Sequence, residues 1–340
     1  MIKIWPDSLD SNTPNPMGSF LFCKDLVTYS SDNFEIASSL ESCDCIMLPQ
    51  FSNNILADYK FDRQKADYLS QLKKPIILQN DGGGVPDGWK TSEIGEYIWG
   101  NFSDLIKVFF SVECYPWHRK ELPSKINYVP YDFVGFSTAG LGLREVPPLQ
   151  SREEYLRRYL DTSVAMSVYP PTRDKIWELL HENTLRHYSF NTNPAYQPYK
   201  PDRISWSDMT SQISNSKISF APDGATAKTE RQLFVPSFAA MMMQEDSVEF
   251  PFEWVDGFNC IKMEHDFIEG YYREKEKEYK INGHNLRILN KGKTKNKIID
   301  WLNTSDELYE IYKNGYETAK KYELPNYFKN HVGKTIKEYL

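Results

Sequence analysis

The chain has 340 residues, 40% of them hydrophobic and 14% aromatic, and a net charge of −7. Such a length and apolar content exclude a disordered or fibrous chain and predict two domains with real cores. The acidic balance excludes nucleic acid as a general partner, because binding to a phosphate backbone requires a basic face.

The N-terminus, Met1-Ile-Lys-Ile-Trp-Pro-Asp7, passes directly into a short strand and polar turn residues. It has neither the basic nor the apolar region of an export signal, and no apolar run approaches the roughly 20 residues of a membrane span. The expectation is a soluble, cytoplasmic protein without a transmembrane anchor. The first half alternates short apolar runs with helical patterns, and Ile2 to Trp5, Cys45 to Leu48, Pro75 to Leu78, Val108 to Ser111 and Ile126 to Val129 are predicted strands. This βα alternation predicts a mostly parallel sheet. Cys23, Cys43, Cys45, Cys114 and Cys260 lack ligand spacing and read as free thiols.

Asn80-Asp-Gly-Gly-Gly-Val-Pro86 follows the third of these strands, so Asp81, Gly82, Gly83 and Gly84 stand at the carboxyl end of a parallel strand, where α/β folds bind ligands. The loop lacks the Gly-Lys-Ser/Thr of a Walker loop and the spacing of a dinucleotide fingerprint. Asp81 is a carboxylate suited to take a proton from a hydroxyl; the competing role is a turn cap. Glu113, just past the strand ending at Ser111, is the reserve base. Trp89, Tyr115 and Trp117 offer aromatic faces on which a sugar ring packs, although aromatic residues more often fill cores.

Between about residues 135 and 152 the periodicity fails, at Gly135-Phe-Ser-Thr-Ala-Gly-Leu-Gly-Leu143 and Pro147-Pro148, and the domain crossover is expected there. The predicted domains are 1–145 and 146–320, with a helix over 321–340 packing back on the first. The second half restarts with a predicted helix from Arg152 to Leu160, a strand from Ser163 to Tyr169 and a helix from Thr172 to His181. After a short polar helix come a buried strand from Ile218 to Ala221, a Pro222-Asp-Gly224 turn, a helix opening near Thr229 and a strand from Ala239 to Met243. This is a Rossmann-like βαβ unit. The turn at Gly224 sets unpaired N–H groups and the positive end of a helix where an anion docks, and Arg231 adds a guanidinium fork. A nucleotide diphosphate fits such a site.

Thr172-Arg173-Asp174 repeats that logic after the preceding strand, so two arginines at two helix starts are expected to converge on one pyrophosphate. Asp202 and Asp208 are too far apart to form an Asp-X-Asp metal element, which leaves arginines and helix ends to stabilise a leaving diphosphate without metal. Glu245, after the strand ending at Met243, is a carboxylate placed to accept bonds from ribose or sugar hydroxyls; its other role is a polar turn. Met241-Met-Met243, with no thiolate or imidazole beside it, reads as buried strand. His118 and His181 lack a partner pattern and read as structural. Glu274, Glu276 and Glu278 interleave with the lysines between Arg273 and Lys297, which predicts a solvated helix and loop. Leu308, Ile311, Tyr312, Tyr316 and Ala319 form the apolar stripe of a C-terminal helix.

From residue 204 to about 262 the chain resembles the C-terminal domain of exostosin-like glycosyltransferases. The similarity is carried by Ser216 to Gly224, Arg231, Ala240 to Met243, Phe250-Pro-Phe252, Trp254 and Phe258, in that order. Arg173 is similar to the arginine after that domain's first strand, and Asn80-Asp-Gly resembles an Asp-Gly loop of the N-terminal half. Phe234 stands where the family carries an acidic residue that holds the nucleotide ribose, so Glu230 or Glu245 must replace it or ribose binding differs. Ala239-Ala240 replaces a Gly-Cys pair, and the Golgi anchor of animal relatives has no counterpart here.

The resemblance implies an α/β chain of GT-B architecture, two Rossmann-like domains facing across a cleft, from a soluble microbial or viral relative. It implies inverting, metal-independent transfer of sugar from a nucleotide sugar, UDP-linked by preference, to a glycan or glycoconjugate, with no cofactor. Asp81 would be the base, and Arg173, Arg231 and the Gly224 turn would hold the diphosphate. Two other functions remain open. One is a non-catalytic carbohydrate-binding protein with a degenerate fold, which Phe234 favours; the other is a GT-B sugar-nucleotide epimerase or phosphorylase.

Overall fold

A computed structural model describes residues 1–7, 9, 17–49, 62–80, 97, 100–111, 114, 122–131, 146–166, 171–182, 185–191, 205–222, 231–244, 249–267 and 287–340. The chain divides into two compact units. The first comprises Met1–Arg144, Val248–Glu253 and Tyr322–Leu340, and the second Glu145–Ser247 and Trp254–Lys321. No described helix is long and apolar enough to cross a membrane.

The first unit is built on β1 (Ile2–Pro6), β2 (Phe34–Ile36), β3 (Cys45–Pro49), β4 (Ile76–Asn80), β5 (Ile106–Ser111) and β6 (Asn127–Pro130), in the order β2-β1-β3-β4-β5-β6. Every pairing is parallel. A sheet covered on both faces needs strands apolar on both faces, which is why Ile46-Met-Leu48 and Ile76-Ile-Leu78 are unbroken apolar runs, all buried. Helix α1 (Met17–Tyr29) buries Phe22, Cys23 and Leu26. Helix α2 (Arg63–Gln71) buries Ala66 and Leu69, and Asp62 caps it by accepting a hydrogen bond from the Lys65 N–H at 3.0 Å.

The C-terminal stretch returns to this unit. Its Phe328 ring meets Phe22 at 5.5 Å and its Tyr327 ring meets Tyr131 at 5.8 Å. A π-helical turn over Phe328–Val332 carries His331, whose Nε2 lies 2.9 Å from the Pro130 carbonyl at the end of β6. The segment Val248–Glu253, read from the sequence within the second domain, also belongs here. The Glu249 N–H donates to the Cys114 carbonyl at 2.8 Å, and Phe252 packs edge-on against Tyr322 at 4.9 Å.

The second unit has β7 (Leu160–Met166), β8 (His187–Asn191), β9 (Ser216–Ala221), β10 (Ala240–Met243) and β11 (Ile261–Lys262), again all parallel, in the order β11-β10-β9-β7-β8. Numbered within each unit, both sheets run second, first, third, fourth, fifth. One face of the second sheet buries Val164, Ile218, Phe220, Ala240 and Met242 against Tyr155, Leu308, Ile311 and Tyr312. Tyr312 and Ile311 belong to a helix, Ser305–Lys320, whose predicted stripe is buried throughout.

Several boundaries differ from the sequence reading. The helix starting at Arg152 (α3, Arg152–Leu156), opened by a Ser151/Glu154 capping box, ends four residues early, and β7 begins at Leu160 instead of Ser163. The cause is Arg158. Its guanidinium lies 4.3 Å over the Tyr155 ring and 4.9 Å over that of Tyr312, which turns the chain inward, and the Leu160 N–H then joins the sheet through the Asn215 carbonyl at 3.1 Å. In the lysine-rich segment, Arg287–Leu289 forms β13 and pairs antiparallel with β12 (His265–Phe267); Lys291 opens a helix, Lys291–Asn303, capped by Asn290. All five cysteines are buried and none forms a disulfide.

Candidate functional site

In each sheet the topological switch point lies between the first strand and the third, whose connections leave in opposite directions, and ligands of such sheets bind outside the carboxyl ends there. In the first unit that point is the β1/β3 pair, where Pro6 is in register with Met47. Asp7 follows β1 directly and its N–H donates to the Met47 carbonyl at 2.9 Å. The carboxylate is buried, with Oδ1 2.5 Å from Lys65 Nζ and Oδ2 accepting the Trp5 indole N–H at 2.9 Å. Lys65 comes from the first turn of α2 and is partly exposed. The sequence offered only a turn residue after a strand here, because the ion partner is distant in the chain and no spacing links the two.

In the second unit the switch point is the β7/β9 pair, with Ser163 in register with Ser219. Ser163 Oγ donates to Ser219 Oγ at 2.9 Å, and Ser219 Oγ donates to the Ser163 carbonyl at 3.3 Å, both buried. Two serines inside apolar strands were the visible signal for this pair. The helix after β7 is α4 (Pro171–His181), with Arg173 its third residue. After β9 comes α5 (Arg231–Phe234), whose first described residue, Arg231, is partly buried; Val235–Ser237 then tightens to a 3₁₀ turn around Pro236. Thr229, where the opening of this helix is expected, lies outside the described residues.

Of the Arg173 side chain nothing further is described. Asp81, Gly82, Gly83, Gly84, Trp89, Glu113, Tyr115, Trp117, Gly224, Glu230 and Glu245 lie outside the described residues. What frames them is described. β4 ends at Asn80, directly before Asp81, and its neighbour β5 ends at Ser111, two residues before Glu113, with Asn80 and Ser111 in register. β10 ends at Met243, two residues before Glu245, and pairs with β9, so the candidate donor segments follow neighbouring strands of one sheet. Phe234, the departure from the resembled family, is buried and packs edge-on against Trp206 at 5.0 Å. Met241, Met242 and Met243 are buried in β10. His181 stacks on Trp177 at 4.1 Å and lies 5.0 Å from His187.

No family model matches the sequence, and no curated protein matches it. Among solved structures, a trehalose-6-phosphate synthase superposes over 94% of this chain and 75% of its own, at 8% identity and a TM-score of 0.50. The fold is GT-B. A UDP-N-acetylglucosamine 2-epimerase assignment from Listeria monocytogenes covers 99% of this chain and 96% of its own at 10% identity and TM-score 0.46. A protein from S. aureus solved with UDP covers 99% and 97% at 9% identity and TM-score 0.44. At such identities the likeness is one of fold.

Proposed function

We propose that the chain is an exostosin-like glycosyltransferase that moves a sugar from a nucleotide sugar, UDP-linked by preference, to a hydroxyl of a glycan, with inversion and without metal. The observation that carries this reading is the pairing of β7 with β9. Arg173 and Arg231 stand at the starts of the helices that follow these two neighbouring strands, beside the switch point. Helix N-termini and arginine forks both favour a diphosphate. The buried Ser163–Ser219 pair beneath that edge is neutral and adds no repulsion to an anion.

In this reading the diphosphate binds the second unit, and Arg173, Arg231 and the Gly224 turn stabilise charge as it departs. Asp81 takes the proton of the acceptor hydroxyl, which attacks the anomeric carbon in line. Glu245 or Glu230 holds ribose or sugar hydroxyls in place of the acidic residue that Phe234 supplants.

The test is a thermal-shift panel of UDP-, GDP-, CMP-, ADP- and dTDP-sugars with magnesium or EDTA. Ligand at about 100 times its dissociation constant adds about 2.7 kcal/mol. One nucleotide class is expected to raise the midpoint equally with or without EDTA. Arg231→Ala should abolish that shift, and Asp81→Asn should preserve it while abolishing transfer. A panel with no shift refutes the reading, and conversion of donor to a new sugar nucleotide without acceptor replaces it with an epimerase.

A further inference from the structure

Gln79 is the next-to-last residue of β4, a central strand of the first sheet, and is 2% exposed. Its side-chain oxygen Oε1 is buried and has no hydrogen-bond partner among the described residues. A buried acceptor without a donor destabilises the folded state, and such groups in native proteins are completed by water, an ion or a ligand. Its register partners are Pro49 of β3 and Phe110 of β5, neither of which has a polar side-chain atom. Neither partner's side chain can donate a hydrogen bond to it.

The position points to a ligand. Gln79 lies near the carboxyl end of its strand, two residues before Asp81, on the strand next to the β1/β3 switch point. An amide oxygen wants a donor that brings its own further partners, and a sugar hydroxyl does so, because the same oxygen also accepts. We propose that Gln79 is a hydroxyl-reading residue of the acceptor site, accepting a hydrogen bond from a neutral sugar through Oε1. This rests on the transferase reading, in which the first unit holds the acceptor. It gives specificity a physical basis, since a buried acceptor built for a hydroxyl rejects a sugar that lacks it.

Gln79→Met and Gln79→Leu keep the bulk and remove the orphaned oxygen. The probes are an array of neutral oligosaccharides and the melting midpoint of the unliganded protein. If Oε1 awaits a sugar, both variants melt higher, by about 2–4 °C. Glycan binding falls about tenfold or more, the loss of one desolvated hydrogen bond, and nucleotide-induced shifts match those of the wild type. Higher melting with unchanged glycan binding overturns the proposal, because the oxygen is then merely vacant. Lower melting also overturns it, because the oxygen then has a partner in the protein. A wild type that binds nucleotide but no array glycan refutes Gln79 and leaves the donor site standing. Gln79-dependent glycan binding without any nucleotide shift refutes the transferase and keeps Gln79.

Discussion

Gly315, in the helix Ser305–Lys320, is a site where helix propensity and packing oppose each other. Replacing a helical glycine by alanine ordinarily gains up to about 1 kcal/mol. Here the added carbon would lie 2.8 Å from the Asn259 carbonyl oxygen and 3.6 Å from Pro236 Cβ. The carbonyl is poorly placed to yield. Asn259 Oδ1 accepts from the Val255 N–H at 2.7 Å, its Nδ2 donates to Thr318 Oγ1 at 3.0 Å, and Asn314 Nδ2 donates to the adjoining Phe258 carbonyl at 3.1 Å. Overpacking of this kind costs about 1–3 kcal/mol, and displacing Asn259 forfeits one or two hydrogen bonds at about 1 kcal/mol each. Gly315→Ala is therefore expected to destabilise by about 1–3 kcal/mol net. The assay is urea unfolding, read as a lower midpoint at unchanged slope. Gly292→Ala is the control, because its added carbon meets nothing nearer than Asn290 Oδ1 at 3.7 Å. A Gly315→Ala midpoint at or above that of the wild type would refute the reasoning.

Two further predictions concern buried polar groups. Burial, and then the hydrogen bond its hydroxyl donates to Asp67 Oδ1 at 2.5 Å, push the Tyr97 phenol up to about 12. The unfolded phenol loses its proton near about pH 10, so this stabilisation is complete below that pH and lost as pH rises through about 12. Urea midpoints of wild type and Tyr97→Phe should therefore converge between those values, and a constant difference would disprove the assignment. Arg158 is buried, donates to Ser216 O at 2.5 Å and to Gln150 Oε1 at 2.6 Å, and has its pKa lowered by desolvation. Lysine cannot fork or stack in the same way, so Arg158→Lys should cost about 2 kcal/mol. A variant as stable as wild type in urea would show that the fork and the stacking are dispensable.

The central strands were legible because strands covered on both faces carry apolar runs, unbroken in β10 and in Ile46–Leu48 of β3, Ile76–Leu78 of β4 and Val108–Phe110 of β5. The strands that escaped notice, β2, β8, β11, β12 and β13, are all at sheet edges. Four of them have three residues or fewer, and the other, His187–Asn191, is mostly polar. The overrun of α3 has a different origin. Arg158 sits three residues after Tyr155, at helical spacing, yet its side chain is held by aromatic rings and a carbonyl that only the tertiary fold brings near.

Candidate site chemistry gives a sequence signal where glycine and arginine punctuate loops, and none where it consists of single polar residues beside apolar strands. Asp7 has no sequence signature, since a carboxylate after a strand is an ordinary turn residue until Lys65 and Trp5 close on it. Ser163 and Ser219 satisfy each other across β7 and β9, which lets two hydroxyls be buried with little penalty. Gln79 differs from both, because its oxygen is buried without such compensation among the described residues. The two switch points thus solve one physical problem, a polar side chain buried on an apolar sheet, by a salt bridge in one unit and a hydroxyl pair in the other.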